Sequence, residues 1–65
     1  MIVHIKDAVE LGYCIKGIKE FCKRHGIDFR SFVNYGVDAD ILTKTGDAMA
    51  LKVVEYARIK RMEGE

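Results

Sequence analysis

The sequence predicts an all-α domain, a compact orthogonal bundle of four to five short helices within residues 1–65. A glycine followed by an aspartate recurs about every ten residues, as Gly26-Ile27-Asp28, Gly36-Val37-Asp38 and Gly46-Asp47. Such a glycine ends a helix in the left-handed conformation, and the aspartate begins the next helix by accepting hydrogen bonds from its free amides. Proline is absent from the chain, and the apolar residues recur at helical rather than alternating spacing. These observations together indicate short helices joined by tight turns.

The first two helices are predicted before Gly26. A short helix from Lys6 to Leu11 follows an apolar lead-in of residues 2–5, whose conformation the pattern leaves open. Residues 14–25 form the clearest amphipathic pattern, because apolar residues recur there at steps of three and four. Its inward side is expected to carry Cys14, Ile18, Phe21, Cys22 and His25.

Three further helices follow the later glycines. The third begins at Asp28 and is expected to direct Phe29, Phe32, Val33 and Tyr35 inward. The fourth covers residues 38–43 and buries Ile41 and Leu42, while Asp47 caps the longest helix, residues 48–62. We expect a single core made of Ile18, Phe21, Cys22, Ile27, Phe29, Phe32, Val37, Leu42, Leu51, Val54 and Ala57.

Composition narrows the class of function. The formal charge of +1 is far from the basic balance of a dedicated nucleic-acid-binding protein. No apolar run approaches the roughly 20 residues that cross a bilayer, and residues 1–7 lack the features of a signal peptide. We therefore expect a cytoplasmic protein with no membrane contact.

Catalytic and metal chemistry are not predicted. The aspartates are assigned to helix capping, and no nucleophile or acid–base pair is placed as catalysis requires. Cys14 and Cys22 would lie about 12 Å apart on one helix, too far for a disulfide, and the chain has no C-x-x-C pair. The sequence thus predicts two buried free thiols, no enzyme activity, no cofactor and no metal.

Residues 18–35 resemble a helix-turn-helix motif. Cys22 stands as the small residue four positions before the turn glycine Gly26, Ile27 follows that glycine, and Phe32 is the later apolar anchor. His25 departs from the pattern because an apolar residue is more usual there. The resemblance implies a helix-turn-helix-like core and a third helix that presents Arg30, Ser31 and Asn34.

A second set of segments covers more of the chain. It consists of Gly12-Tyr13-Cys14, the basic amphipathic helix that follows, the segments 25–33 and 45–50, Gly36-Val37-Asp38 and Val53-Val54-Glu55. With these segments the chain resembles small uncharacterised helical proteins of bacteriophages and prophages. It implies a viral context within a bacterial host and no settled activity.

Two hypotheses of function follow. The first is a phage-type helix-turn-helix-like regulator that binds DNA, with Arg30, Ser31 and Asn34 facing bases and Lys16, Lys19 and Lys23 on phosphates. The second is a non-enzymatic phage component, present in the virion, or an inhibitor of a host protein. Its protein-binding anchors would be Tyr13, Arg30, Tyr35 and Tyr56. The helix-turn-helix spacing favours the first hypothesis, and the near-neutral charge favours the second. Under either hypothesis the chain could be a monomer or a homodimer.

Overall fold

The computed structural model describes residues 1–62, so residues 63–65 of the predicted domain lie outside the described part. The described residues form two short strands and five helices: β1 (Ile2–Val3), α1 (Ile5–Glu10), α2 (Ile15–Arg24), α3 (Phe29–Tyr35), β2 (Val37–Asp38), α4 (Ala39–Thr45) and α5 (Ala48–Met62). The predicted helical class is confirmed, with the addition of a two-stranded sheet. The long helix α5 packs against α4, α1 and β1.

The predicted pairing of glycines and aspartates is present at all three junctions, but Gly36 departs from the left-handed helical conformation, with a ψ of −179°, and leads into β2. Each glycine has a positive φ, which is +70° at Gly26, +86° at Gly36 and +69° at Gly46. Each following aspartate accepts a backbone N–H through its side chain, from Ser31, Asp40 and Met49 in turn, at 2.8–2.9 Å. These bonds satisfy amides that the first turn of a helix leaves free, so the helix starts and stops are local properties of the sequence.

The apolar lead-in forms a strand that the sequence pattern did not predict. β1 pairs antiparallel with β2, with Ile2 opposite Asp38 and Val3 opposite Val37. The amide of Ala39 extends the pairing by donating to the carbonyl of Met1 at 2.8 Å. Val3 is completely buried and becomes part of the core. The N-terminal segment is therefore tied to the connection between α3 and α4.

Most of the predicted core is confirmed. Its buried members are Ile18, Phe21, Cys22, Phe32, Val37, Leu42, Val54 and Ala57, while Ile27 and Phe29 are half-buried against them. Further buried residues come from β1, α1, α4 and α5: Val3, Ala8, Ala39, Ala50 and Val53.

Four residues that were predicted to face inward are exposed. Leu51 is 45% exposed, Ile41 51%, Val33 45% and Tyr35 75%. The short helices α3 and α4 contact the core along one narrow side, which is filled by Phe32 and Leu42. Val33 and Ile41 directly adjoin these two residues in the sequence and so lie about 100° away round the helix, since an α-helix has 3.6 residues per turn. Leu51 is displaced in the same way from Ala50, and Tyr35 is exposed at the last position of α3. The prediction was wrong at these positions.

The prediction of two buried thiols is half correct. Cys22 is buried, whereas Cys14 is exposed, and both are free. Cys14 precedes α2 as its N-cap, and its Sγ accepts the amide of Gly17 at 3.4 Å. The N-cap residue has an extended backbone and precedes the first helical residue. The spacing of three and four residues that predicts the buried side of a helix therefore does not apply to Cys14.

Candidate functional site

The predicted helix-turn-helix segment is built by α2, a four-residue connection and α3. The connection turns at Gly26, after which the amide of Ile27 donates to the carbonyl of Cys22 at 2.8 Å. Asp28 then caps α3. The side chain of Ser31 and then its backbone amide lower the pKa of the Asp28 carboxyl below its usual range. Buried residues on both helices hold them against the core, so α3 keeps one side free.

An open depression lies between α2 and α3 and gathers three of the six predicted DNA-binding residues. It is lined by Lys19 of α2 and by Phe29, Arg30, Val33 and Asn34 of α3. The amine of Lys19 lies 5.4 Å from the centroid of the Phe29 ring, close enough for a cation–π contact. Arg30 and Asn34 are four residues apart and so share one side of α3. The depression combines a cation, a guanidinium and an amide with two apolar side chains.

The other predicted DNA-binding residues lie outside this depression. Lys16 and Lys23 are exposed on α2, spaced by three and four residues from Lys19, which places the three amines along one side of that helix. Ser31 is exposed but does not line the depression, and its backbone amide donates to Oδ2 of Asp28 at 2.9 Å. The structure thus brings together a smaller set than the sequence predicted.

Phe29 and Val33 are the site residues that sequence reasoning missed. Their four-residue spacing on an apolar helix was interpreted as a core signal. Both line the depression, Phe29 while half-buried against the core and Val33 while exposed. In the sequence, only the neighbouring polar residues Arg30 and Asn34 indicated that this side of α3 faces solvent.

Charge is distributed unevenly along the chain. Residues 15–35 contain five basic side chains and two acidic ones, a net charge of +3, whereas the whole chain carries +1. The rest of the chain therefore carries a net charge of −2. A positive segment within a near-neutral chain provides local attraction for an anion. The basic residues are Lys16, Lys19, Lys23, Arg24 and Arg30.

The predicted protein-binding tyrosines differ in accessibility. Tyr35 is 75% exposed at the end of α3, whereas Tyr13 is half-buried against the core. Tyr56 is half-buried, and its hydroxyl donates to Oε1 of Glu10 at 2.8 Å. Tyr35 is the tyrosine best placed to contact another molecule.

A polar cluster between α1 and α5 was not predicted. The amine of Lys60 donates to Oε1 of Glu10 at 2.9 Å and to Oδ1 of Asp7 at 3.3 Å. Asp7 is only 4% exposed, and its other oxygen accepts the amide of His4 at 3.0 Å. These contacts join residues about 50 positions apart, which no local pattern could reveal.

The pKa shifts in this cluster follow from its hydrogen bonds. The bond to Glu10 raises the pKa of Lys60, and the bonds from Lys60 and then Tyr56 lower the pKa of Glu10. Donation to Glu10 raises the pKa of Tyr56. Lys60 and Glu10 therefore keep their charged forms and Tyr56 keeps its proton at neutral pH. Their hydrogen bonds connect α1 to α5.

His25, which was predicted on the inward side of the second helix, is half-buried where α2 ends. Its Nε2 atom is buried, has no hydrogen-bond partner within residues 1–62 and lies 3.6 Å from Oδ2 of Asp47. Its ring stands 4.7 Å from that of Phe21, between centroids. Across the described residues, no three His, Cys, Asp or Glu side chains are arranged to hold a metal ion.

Comparison of the chain with protein families, with curated proteins and with solved structures gives no match. None of the helices in the described part of the chain is both long and apolar enough to span a membrane.

Proposed function

We propose that this chain is a small helix-turn-helix-like DNA-binding regulatory protein. The observation that carries the proposal is the depression in which Lys19, Arg30 and Asn34 meet on the free side of α2 and α3. Phosphate attraction supplies most of the affinity of such proteins, and base contacts supply the selectivity. The lysines of α2 serve the first purpose, and α3 serves the second.

The side chains of α3 fit the edges of base pairs in the major groove. Arginine recognises guanine and asparagine recognises adenine through paired hydrogen bonds, and an apolar side chain contacts the methyl group of thymine. Arg30 and Asn34 are separated by about 6 Å along the helix axis, close to two base steps of about 3.4 Å each. Val33, which is 45% exposed, lies beside them. We infer a short mixed recognition sequence rather than a single base.

The resemblance to small phage proteins indicates the biological context in which this regulator would act. A regulator of this size would act on viral or prophage genes in the cytoplasm of a bacterial host. The DNA that flanks its own gene is then the first sequence to test.

Three alanine variants test the proposal by fluorescence anisotropy. Arg30→Ala should cost about 1–3 kcal/mol on the preferred duplex and relax its selectivity, because a base contact is lost. Lys19→Ala should weaken binding to all duplexes about equally and reduce the salt dependence, because a phosphate contact is lost. Lys52→Ala removes the same charge from the exposed side of α5 and should leave binding nearly unchanged.

Two results would contradict the proposal. One is equal weakening by Lys52→Ala and Lys19→Ala, which would mean that net charge alone attracts DNA. The other is a dissociation constant above roughly 10⁻⁴ M for every duplex at physiological salt, which is the weak limit of ordinary non-specific binding.

The second candidate is a protein-binding phage component or an inhibitor of a host protein. Tyr35 favours it, since this side chain is 75% exposed at the end of α3, and tyrosine and arginine dominate interface hot spots. Affinity capture from host lysate with the native chain and with Tyr35→Ala separates the two functions. A partner that the variant loses, without DNA binding by either protein, would favour this candidate.

A further inference from the structure

The helix α5 also carries apolar side chains outside its buried side. The buried side, with Ala50, Val53, Val54 and Ala57, lies in the core. At 100° per residue, Leu51 and Met62 lie about 110–130° round the helix from the centre of that side, and Ile59 lies opposite it. Leu51 and Ile59 are each 45% exposed and Met62 is 78% exposed. A helix at the surface of a single small domain usually has one apolar side. These exposed apolar residues of α5 are therefore free to contact another molecule.

Two charged residues lie between these apolar ones. Glu55 and Arg58 are about 60% exposed, and their side chains approach to 3.4 Å. At 100° per residue, Leu51, Glu55, Arg58 and Met62 fall within about 60° of one another around the helix. The resulting strip has an apolar residue at each end and one charge of each sign in the middle.

We propose that this strip binds the same strip of a second copy of the chain, with the two α5 helices antiparallel. A two-fold axis between positions 56 and 57 places Leu51 of each copy opposite Met62 of the other. The same register places Glu55 opposite Arg58, so each apolar contact and each ion pair forms twice. Such self-complementarity is what a two-fold interface requires.

The interface is small. The strip extends about 16 Å along the helix, and a contact of this size lies below the roughly 1,200–2,000 Å² of ordinary stable interfaces. We therefore expect a weak dimer with a dissociation constant between about 1 μM and about 1 mM.

Charge reversal tests the register by sedimentation equilibrium in the absence of DNA. Glu55→Arg and Arg58→Glu should each weaken the dimer at least about tenfold, because like charges then face each other at two places. The double variant carries both reversals, restores opposite charges across the axis and should recover the native dissociation constant to within about threefold. Lys44→Glu, an exposed charge reversal on α4, should have no effect on the dimer.

A native chain that stays monomeric up to about 1 mM would overturn the proposal, as would a dimer unaffected by the single reversals. Circular dichroism of each variant establishes that it is folded. Since DNA is absent from these measurements, their result is independent of the proposed function.

Discussion

Replacing Gly36 with alanine tests the junction between α3 and the two-stranded sheet. Gly36 has φ of +86° and ψ of −179°, a conformation that is essentially restricted to glycine. An added Cβ would lie 2.5 Å from Cγ2 of Ile2 and 2.8 Å from the carbonyl oxygen of Val3. The Ile2 side chain can rotate away, whereas the Val3 carbonyl belongs to β1 and moves only with the strand.

The expected loss of stability has two parts. Backbone strain of this kind costs about 1–3 kcal/mol. Displacement of β1 also breaks a hydrogen bond to β2, which contributes about 1 kcal/mol. The sum of about 2–4 kcal/mol approaches the whole stability of a domain this small, about 3–5 kcal/mol. Each kcal/mol corresponds to a change in Tm of about 4–8 °C for a chain of this length.

Gly46→Ala is the matched control. Gly46 has φ of +69°, yet apart from Gly46 itself and its two chain neighbours no described residue comes within 4 Å of its added Cβ. This variant should lose only about 1 kcal/mol, from the left-handed conformation itself. Urea titration followed by far-UV circular dichroism measures both. If Gly36→Ala proves as stable as Gly46→Ala, the pairing of β1 with β2 does not contribute as argued.

Three further predictions concern individual side chains. Ellman's reagent should modify the exposed Cys14 in the native protein and Cys22 only after unfolding, because burial and then the charge of Asp28 raise the pKa of Cys22; equal rates would contradict this. The pKa of Asp28 is lowered in the folded state, so the ionised carboxylate stabilises the folded protein. This stabilisation is fully present above the unfolded pKa of about 4 and is lost as pH falls through the folded pKa. Asp28→Asn should therefore show a smaller acid-induced loss of urea stability than the native chain, and an equal loss would refute the assignment. Lys60→Met should lower the urea midpoint because Asp7, 4% exposed, loses its cation, and the exposed control Lys52→Met should not.

The helix boundaries could be predicted from the sequence because their causes are local. A glycine with positive φ and an aspartate that caps the next helix act within a few residues of each other, as Gly26 and Asp28 do. The deeply buried residues were also predictable, since Ile18 and Phe21 follow the period of the amphipathic helix α2.

Long-range contacts could not be predicted from local patterns. The two residues of β1 gain their conformation from β2, about 35 positions later, and Lys60 reaches Asp7 across 53 positions. On α3 the apolar residues Phe29 and Val33 satisfy the same spacing whether they face the core or the depression. Only the packing of the neighbouring helices decides between these orientations.

The most direct test of the proposed function is the location of the DNA contact on the protein. Amide chemical shifts of the labelled chain can be followed by NMR as a duplex from the DNA flanking its gene is added at low salt. We predict that the largest changes fall within residues 15–35, which form α2, the turn and α3. Changes confined to α1 or α5, or no change at a duplex concentration of about 10⁻⁴ M, would contradict it.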